Sequence, residues 1–324
     1  MEPVLHEYES GITCIDTMLV QTGRAACYLL VQDGHAAFID TGSAHTVPFL
    51  LKTLELKNIP PEAVDYVIPT HVHLDHAGGA GVLMDSLPNA KLVIHPRGAP
   101  HMIDPSRLVM GATEVYGESG FKEHFGEVRA IDERRVMVTT DNSDLNLATR
   151  TLVFLHTPGH ANHHFCIYDR ASDGIFAGDT FGLSYKELDD ENGAFIMPTT
   201  TPVQFDPDAW QESLTRLLDH HPGHMYLTHF GRVSEVRRLA QELRRDIESY
   251  ADMARQHMHS RDRKAKIHAS LTDYLRKRLS ERKTTEEVNR LTDFLAYDLQ
   301  LNTTGLEVWL QRLQRRQASD RSAH

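Results

Sequence analysis

Three histidines and an aspartate lie close together in the stretch THVHLDHAGG, which spans residues 70–79. They are His71, His73, Asp75 and His76. Neutral imidazole and carboxylate are good ligands for divalent cations, with zinc the first candidate and iron or manganese also accommodated. The pattern H-x-H-x-D-H arises by chance roughly 0.007 times in a chain of this composition, the false-positive check that a motif requires. The stretch therefore predicts a metal site.

The elements around this motif suit that role. The motif follows AVDYVIPTH, a run typical of a buried strand, and precedes two glycines where a helix can begin. Loops at strand ends are where α/β proteins place catalytic groups. Alternation points His71 and His73 the same way, whereas Asp75 and His76 reach a second, neighbouring point. One loop thus offers ligands to two adjacent cations, and other segments must supply the rest.

Three further ligand types stand at the ends of apparent strands. His160 comes after TLVFL, Asp179 after GIFA and His229 after an apolar run that ends in YL, each with a glycine nearby. A glycine lets the backbone turn sharply at such a position. This repeated arrangement is more specific than any single motif.

Taken in order, THVHLDHAGG, TPGHANHH, FAGDT and LTHFG resemble the successive motifs of the metallo-β-lactamase superfamily, and IDTG, with Asp40, resembles its first motif. The resemblance covers about residues 10–232 and is greatest to the glyoxalase II and lactonase branch. It implies an α+β fold, a four-layer αββα sandwich with two sheets between outer helices and the metals at one edge of the sheets.

The resemblance also implies a role for each matching residue. Three histidines would bind the first metal: His71, His73 and His160. A carboxylate and two histidines would bind the second: Asp75, His76 and His229. Asp179 would bridge both metals, and Asp40 would orient ligands through hydrogen bonds. His164 either supports the ligands in the same way or is a structural residue of its strand.

Two adjacent cations can share a water molecule and lower its pKa to near neutrality, so that the resulting hydroxide attacks an electrophilic centre. Asp75 and Asp179 can accept a proton during the attack and are the predicted catalytic residues. No serine or cysteine has the surroundings of a nucleophile. The sequence therefore predicts a hydrolase that cleaves an ester-like bond, a thioester or a lactone, in a small-molecule substrate.

Two alternatives stay open. Flavodiiron members of the superfamily bind iron in the same pocket, typically with a glutamate at the position of His73, so the histidine favours hydrolysis over an iron-dependent oxidoreductase. The other alternative is a non-catalytic binding or regulatory module. Structural zinc sites are usually closed and rich in cysteine, and these ligands do not fit that description.

The segment 181–210 has no clear period and is predicted to be a long irregular connection bordering the site. Five side chains in it are expected to form an apolar substrate surface or, alternatively, to anchor the loop: Phe181, Tyr185, Phe195, Met197 and Phe205. In quorum-sensing lactonases a tyrosine lies three residues after the bridging aspartate. Gly182 occupies that position here, so Tyr185 is the nearest substitute.

The domain organisation follows from the change of pattern along the chain. Residues 1–232 are expected to form the catalytic domain, 233–316 a helical region packed on it, and 317–324 a disordered tail. The stripe that begins at Val236 predicts an amphipathic helix, and capping residues predict helix starts at Thr284 and Thr304. Residues 97–132 are expected to be loop and short helix.

Bulk properties restrict the remaining possibilities. A net charge of −11 and the lack of a nuclease-type insert argue against a nucleic-acid partner. No apolar run is long enough for a membrane span and the first residues do not resemble a signal peptide, so we expect a cytoplasmic protein. Cys14, Cys27 and Cys166 are expected to be buried free thiols. The amphipathic C-terminal helices are compatible with a homodimer.

Overall fold

The computed structural model describes residues 2–322 except 201 and 202, with side chains as far as residue 319. Two β-sheets lie face to face, and helices cover the outer face of each, as expected for an αββα sandwich. Among the described helices, none combines the length and the apolar character that crossing a bilayer requires.

The first sheet contains seven strands in chain order. They are β1 (Leu5–Tyr8), β2 (Ile12–Asp16), β3 (Ala26–Gln32), β4 (His35–Ile39), β5 (Val64–Ile68), β6 (Lys91–Ile94) and β7 (Val136–Val138). The strands from β1 to β4 pair antiparallel, and those from β4 to β7 pair parallel. A hairpin turn joins β3 to β4, with Asp33 and Gly34 both at positive φ.

The second sheet contains six strands. They are β8 (Asp144–Leu147), β9 (Arg150–His156), β10 (Phe165–Asp169), β11 (Gly174–Gly178), β12 (His224–Leu227) and β13 (Gly231–Val233). Neighbouring strands of this sheet are again consecutive in the chain, and of its described pairs only β11 with β12 is parallel.

The described residues form ten α-helices. They are α1 (Val47–Leu56), α2 (Leu74–Ala77), α3 (Ala80–Asp85), α4 (Ala99–Ile103), α5 (Ser106–Phe125), α6 (Pro207–Asp219), α7 (Val236–Gln256), α8 (Arg263–Ser280), α9 (Thr285–Phe294) and α10 (Ala296–Ser322). Helix α5 is much longer than the short helix predicted in this part of the chain. It buries only Phe125 and is interrupted at Gly117, so its sequence carries no amphipathic period.

The C-terminal helices agree with the sequence in part. The apolar stripe of α7 is buried, and Thr284 and Glu287 form the predicted capping box of α9. The predicted start at Thr304 is wrong, because this residue lies inside α10 and its hydroxyl donates to the carbonyl of Gln300. The prediction of a disordered tail is wrong for residues 317–322, because these residues continue α10. This part of the chain contains no proline or glycine, and extending a helix that has already formed costs little free energy. Residues 323 and 324 lie outside the described residues.

Two hydrophobic clusters hold the layers together. The smaller joins the outer face of the first sheet to α1 and α3. The larger fills the space between the sheets and continues through the second sheet into α6–α10 without a break. Cys14, Cys27 and Cys166 are fully buried free thiols, as expected.

Candidate metal centre

The loops after five strands carry the predicted site residues to one edge of the sandwich. Asp40 follows β4, residues 71–76 follow β5, His160 follows β9, Asp179 follows β11 and His229 follows β12. Because β4 and β5 are parallel, as are β11 and β12, the carboxyl ends of each pair meet at the same edge. The strands therefore bring together side chains that are far apart in sequence.

The first ligand group consists of His71, His73, His160 and Asp179. His73 Nδ1 lies 2.8 Å from His71 Nε2 and 3.1 Å from His160 Nε2. Asp179 Oδ2 lies 3.3 Å from His160 Nε2. One ligand atom from each of the four residues fits within 4.8 Å of the others. These atoms converge as ligands of one cation do.

The second ligand group consists of Asp75, His76 and His229. Asp75 Oδ2 lies 3.7 Å from His76 Nε2 and 3.5 Å from His229 Nε2. Asp179 Oδ1 lies 3.3 Å from His76 Nε2 and 3.7 Å from His229 Nε2. Asp179 thus presents one oxygen to each group, the arrangement of a bridging carboxylate.

Hydrogen bonds on the outer side of three ligands fix their ring orientation. The Nδ1 atom of His76 lies 2.9 Å from Asp40 Oδ2, and that of His160 lies 2.9 Å from the carbonyl of Thr199. His229 Nδ1 lies 2.7 Å from the carbonyl of Arg24. An acceptor facing Nδ1 keeps a proton there and turns Nε2 towards the centre.

The first group is electrically suited to a cation. Burial lowers the pKa values of His71, His73 and His160, and neighbouring histidines add to the effect; the pKa of His73 falls to about 3. All three imidazoles are therefore neutral at pH 7. The neutral imidazole is the form that binds a metal ion.

The second group has the opposite charge pattern. Burial disfavours charge on His76 and His229, but the nearby carboxylates outweigh it, raising the pKa of His76 well above its ordinary value and that of His229 to about 9. Burial is likewise outweighed at Asp75 and Asp179, where neighbouring histidines hold the carboxyl pKa values well below their usual range. Without a metal, protons on the two histidines balance the two carboxylates.

The residues fit two divalent cations. Among the described residues, His76 Nε2 and Asp179 Oδ1 are buried without a hydrogen-bond partner. These two atoms lie 3.3 Å apart, an ion-pair distance, without hydrogen-bond geometry, and coordination to a cation would give each of them a direct partner. Nitrogen and oxygen ligands without cysteine suit zinc, iron or manganese.

Asp40 lies directly behind the ligands. Its backbone has φ +56°, and its carboxylate accepts hydrogen bonds from the backbone N–H of Thr70 at 2.7 Å and the hydroxyl of Thr228 at 2.7 Å, in addition to facing His76. The carboxylate thus links the loops after β4, β5 and β12. An orienting role for Asp40, which the resemblance implies, would require contacts of this kind.

His164 also supports a ligand. Its Nε2 accepts a hydrogen bond from the backbone N–H of Asp179 at 3.2 Å, and its Nδ1 lies near the hydroxyls of Thr157 and Thr180, at 3.0 and 3.1 Å. Burial lowers its pKa well below the usual value, so the ring is neutral. His164 is therefore a structural residue, and it supports the backbone of Asp179, whose side chain lies between the two ligand groups.

The prediction of a substrate surface in the segment 181–210 is wrong. The five side chains predicted to form it are at most 3% exposed and belong to the larger cluster: Phe181, Tyr185, Phe195, Met197 and Phe205. The hydroxyl of Tyr185 donates to Asp298 Oδ1 at 3.0 Å. These residues anchor the connection on the helices behind it, which was the alternative interpretation.

Three residues near the second group had no sequence signal. The hydroxyl of Tyr297 on α10 donates to that of Tyr116 on α5 at 3.2 Å. Burial raises the pKa of both phenols, and the negative charge of Asp75 contributes. Arg24 contributes the carbonyl that faces His229. Tyrosine is common in amphipathic helices, so only the fold distinguishes these two.

Comparisons with known proteins agree with this geometry. A sequence model of the metallo-beta-lactamase superfamily matches residues 20–229. The metallo-beta-lactamase fold-containing protein ST1585 of Sulfurisphaera tokodaii is 26% identical over 216 residues, which are 65% of this chain and 74% of that protein. Human acyl-coenzyme A thioesterase MBLAC2 is 26% identical over 189 residues, which are 52% of this chain and 63% of the thioesterase.

Hydroxyacylglutathione hydrolase 1 of Vibrio vulnificus is 25% identical over 169 residues, covering 50% of this chain and 52% of the hydrolase. The chain therefore spans less than two thirds of the length of these two enzymes. Among solved structures, ST1585 aligns with a TM-score of 0.62 at 22% identity, over 92% of this chain and 98% of that one. The chemotaxis sensor ODP, solved as a peroxy diiron species, aligns with a TM-score of 0.52 at 13% identity, over 75% of this chain and 94% of that one. These structural similarities establish the fold.

Proposed function

This chain belongs to the metallo-β-lactamase superfamily, and we propose that it is a hydrolase that depends on two divalent metal ions and cleaves an ester-like bond in a small molecule. One observation carries the proposal. Seven ligand side chains form two adjacent groups, and the two oxygens of Asp179 face different groups. A structural metal site has no need of two such groups at a strand edge.

His71, His73 and His160 would hold one ion and Asp75, His76 and His229 the other, with Asp179 between them. When bound, two such ions supply the Lewis acidity that makes water a nucleophile at neutral pH and polarises a carbonyl group. We propose zinc as the metal. Iron and manganese accept the same ligands.

Asp75 is the better placed of the two predicted catalytic carboxylates. Its side chain is 27% exposed, whereas that of Asp179 is 4% exposed. The neighbouring histidines hold the pKa of Asp75 below its usual range, so the carboxylate is ionised at neutral pH, the form in which its exposed oxygen can accept a proton from an attacking water. Asp179 is confined between the histidines of the two groups, and it would chiefly fix the position of one ligand group relative to the other.

Exposed apolar side chains on the elements next to the centre favour a substrate with an apolar portion. Val20 is 74% exposed in the loop that leads to Arg24, and Val115, which precedes Tyr116, is 65% exposed. Tyr297 is 52% exposed. An apolar portion is present in the acyl part of a thioester, and two of the relatives are named as enzymes for acyl-coenzyme A and hydroxyacylglutathione. We propose thioesters first and lactones second.

The first group favours hydrolysis over redox chemistry. His73 supplies a third neutral imidazole where flavodiiron members of the superfamily typically have a glutamate. Hydrolysis likewise explains an accessible carboxylate at the centre better than a non-catalytic module does.

The experiment is a hydrolysis assay on protein loaded with zinc, manganese or ferrous iron. The panel should contain acyl-coenzyme A esters of increasing chain length, S-acyl glutathiones and lactones. We expect turnover of a thioester that stops on chelation and returns with metal. Asp75→Asn should lower kcat by about 100-fold or more, because it removes the proton acceptor, whose contribution is about 10²–10⁴-fold, and also a ligand of the second ion.

Asp65→Asn is the matched control, since Asp65 pairs only with the exposed His35 among the described residues and should leave kcat unchanged. Protein that retains two metal ions yet hydrolyses no member of the panel would refute the proposal. Reaction of the ferrous form with oxygen, without hydrolysis, would instead support the oxidoreductase.

A further inference from the structure

We infer that Arg24 and Asp298 are positioning residues through which the C-terminal helices orient His229 and thereby set the affinity of the second ligand group for its ion. Tyr185 and Phe294 complete the group of side chains around the Arg24 guanidinium. The inference rests on the proposed metal centre but not on the proposed reaction, and nothing in the hydrolysis itself uses these side chains.

The first step is the contact between His229 and the backbone of Arg24. His229 Nδ1 donates to the carbonyl of Arg24 at 2.7 Å. The neighbouring backbone N–H of Ala26 donates to the carbonyl of Thr228 at 2.8 Å, so the two segments run side by side. Because the acceptor of the outer nitrogen fixes a ligand histidine's ring, the place of the Arg24 carbonyl decides where His229 Nε2 points.

The second step is the anchoring of the Arg24 side chain on the far helices. Its Nη1 lies 3.1 Å from Asp298 Oδ2, and its Nη2 donates to the carbonyl of Phe294 at 2.7 Å. The guanidinium carbon lies 3.7 Å from the centre of the Phe294 ring and 4.7 Å from that of Tyr185. A planar guanidinium can satisfy hydrogen bonds and ring contacts together, which an ammonium group cannot do as well.

The third step is the fixed position of Asp298. This residue lies in the first turn of α10, where a carboxylate is favoured, and it is 9% exposed. Its second oxygen accepts the hydroxyl of Tyr185 at 3.0 Å. A buried carboxylate with both oxygens paired is a rigid anchor, and it ties Arg24 to a helix 274 residues later in the chain.

The loop before Arg24 is tied at its base, where the N–H and the hydroxyl of Thr17 donate to the carbonyl of Ala25 at 2.9 and 3.0 Å, but its middle, residues 20–22, is exposed. Met18 and Val20 have positive φ, and the side chain of Val20 is 74% exposed. Hydrogen bonds from the N–H groups of Met18 and Gly23 to Asp16 shape the loop locally. The contacts of the Arg24 side chain are therefore what hold the end of this loop against α9 and α10.

The test is a titration of the metal-free full-length chain with Co²⁺, followed by visible absorption and by competition with a chromophoric chelator. We expect two equivalents in wild type. Asp298→Asn and Arg24→Ala should weaken the second equivalent by about 10-fold, the low end of the effect of losing the partner of a ligand histidine, because the Arg24 carbonyl itself remains, and should leave the first equivalent unchanged. Arg24→Lys keeps the positive charge but loses the planar guanidinium with its fixed set of N–H donors. Its affinity for the second equivalent should lie between those of wild type and Arg24→Ala.

Arg263→Ala is the matched control. Arg263 forms a similar ion pair with Glu307 at 2.7 Å and also ties α10 to another element, but neither residue contacts a metal ligand. This variant should lower the Tm and change neither Co²⁺ affinity.

The inference is overturned if folded Asp298→Asn and Arg24→Ala bind both equivalents as wild type does. It is also overturned if both affinities fall together, or if Arg263→Ala weakens the second equivalent equally, since either result indicates a general loss of stability. A protein that binds two Co²⁺ ions but hydrolyses no substrate would refute the proposed function and leave this inference standing.

Discussion

At the scale of single residues, the seven ligands divide by protonation and not only by position. Burial makes the histidines of the first group neutral, whereas carboxylates keep His76 and His229 protonated in the metal-free chain. Histidine is thus neutral in the first group and protonated in the second before a metal ion binds. The first group can accept an ion at once, and the second must release protons first.

This difference predicts how each affinity depends on pH. A raised pKa keeps a histidine protonated below that value, and His229 has a pKa of about 9, so protons compete with the second ion throughout the range from pH 6 to 8. Affinity for the second ion should rise with pH, by about tenfold per unit for each proton released. Affinity for the first should change little, since His73 has a pKa of about 3. Competition titrations at pH 6, 7 and 8 measure both slopes, and equal slopes would contradict the assignment.

The ligands themselves could be predicted from sequence because four of them are neighbours in one motif and the others follow apolar runs. The surface that contacts the substrate could not be predicted from the sequence. Phe181 and Phe195 have the composition of a pocket wall, but whether an aromatic ring faces a cavity or the core depends on the helices that cover it. Arg24 and Asp298 meet only in the folded chain.

At the scale of elements, the turn out of β11 is a closely packed part of the site. Gly178 has φ +47°, and a Cβ atom there would lie 2.6 Å from His164 Nε2 and 2.7 Å from Thr70 Oγ1. Both neighbours support ligands, since Thr70 contacts Asp40 and His164 contacts the N–H of Asp179. The absence of a side chain at this one position lets two loops approach each other.

Gly178→Ala should therefore damage both stability and metal binding. A left-handed backbone costs a residue with a Cβ about 1–2 kcal/mol, and displacement of His164 and Thr70 adds to it. Gly34→Ala is the control, because Gly34 has φ +83° with open space around it. Gly34→Ala should lower the free energy of unfolding by about 1–2 kcal/mol and should still bind both ions. Urea unfolding and metal analysis distinguish the two, and equal metal content in both variants would count against the role given to Gly178.

Most strands could be predicted because each is a short apolar run bounded by turn residues. Helix α5 could not, since almost none of its side chains is buried and a helix without an apolar face leaves no period to detect. The false helix start at Thr304 has a related cause. A threonine before a glutamate resembles a capping box, but α10 had already begun eight residues earlier, at Ala296.

At the scale of the whole molecule, the larger cluster makes one folding unit of the sandwich and the C-terminal helices. Phe154 and Phe176 of the second sheet share it with Leu243 of α7, Leu271 of α8 and Leu306 of α10. The sequence indicated a boundary near residue 232 because its pattern changes there. A change of pattern does not reveal how much surface the two parts bury against each other.

A chain that stops at residue 232 should therefore fail to fold cooperatively. Each fully buried leucine or isoleucine contributes about 1.5–3 kcal/mol, and the truncation uncovers the whole face that receives α7–α10. We expect a single thermal transition for the full chain by calorimetry and no near-UV circular dichroism for the fragment. A monomeric fragment with native dichroism that retains two metal ions would disprove this prediction.

The three cysteines have a practical consequence. Burial raises the pKa of Cys14 and Cys166 to about 12 and that of Cys27 well above its usual value. Because alkylating reagents attack the thiolate, the native chain offers them no reactive sulfur. A fluorescent maleimide should then attach only to a cysteine introduced at the surface, so the wild-type background is ready for distance measurements by energy transfer.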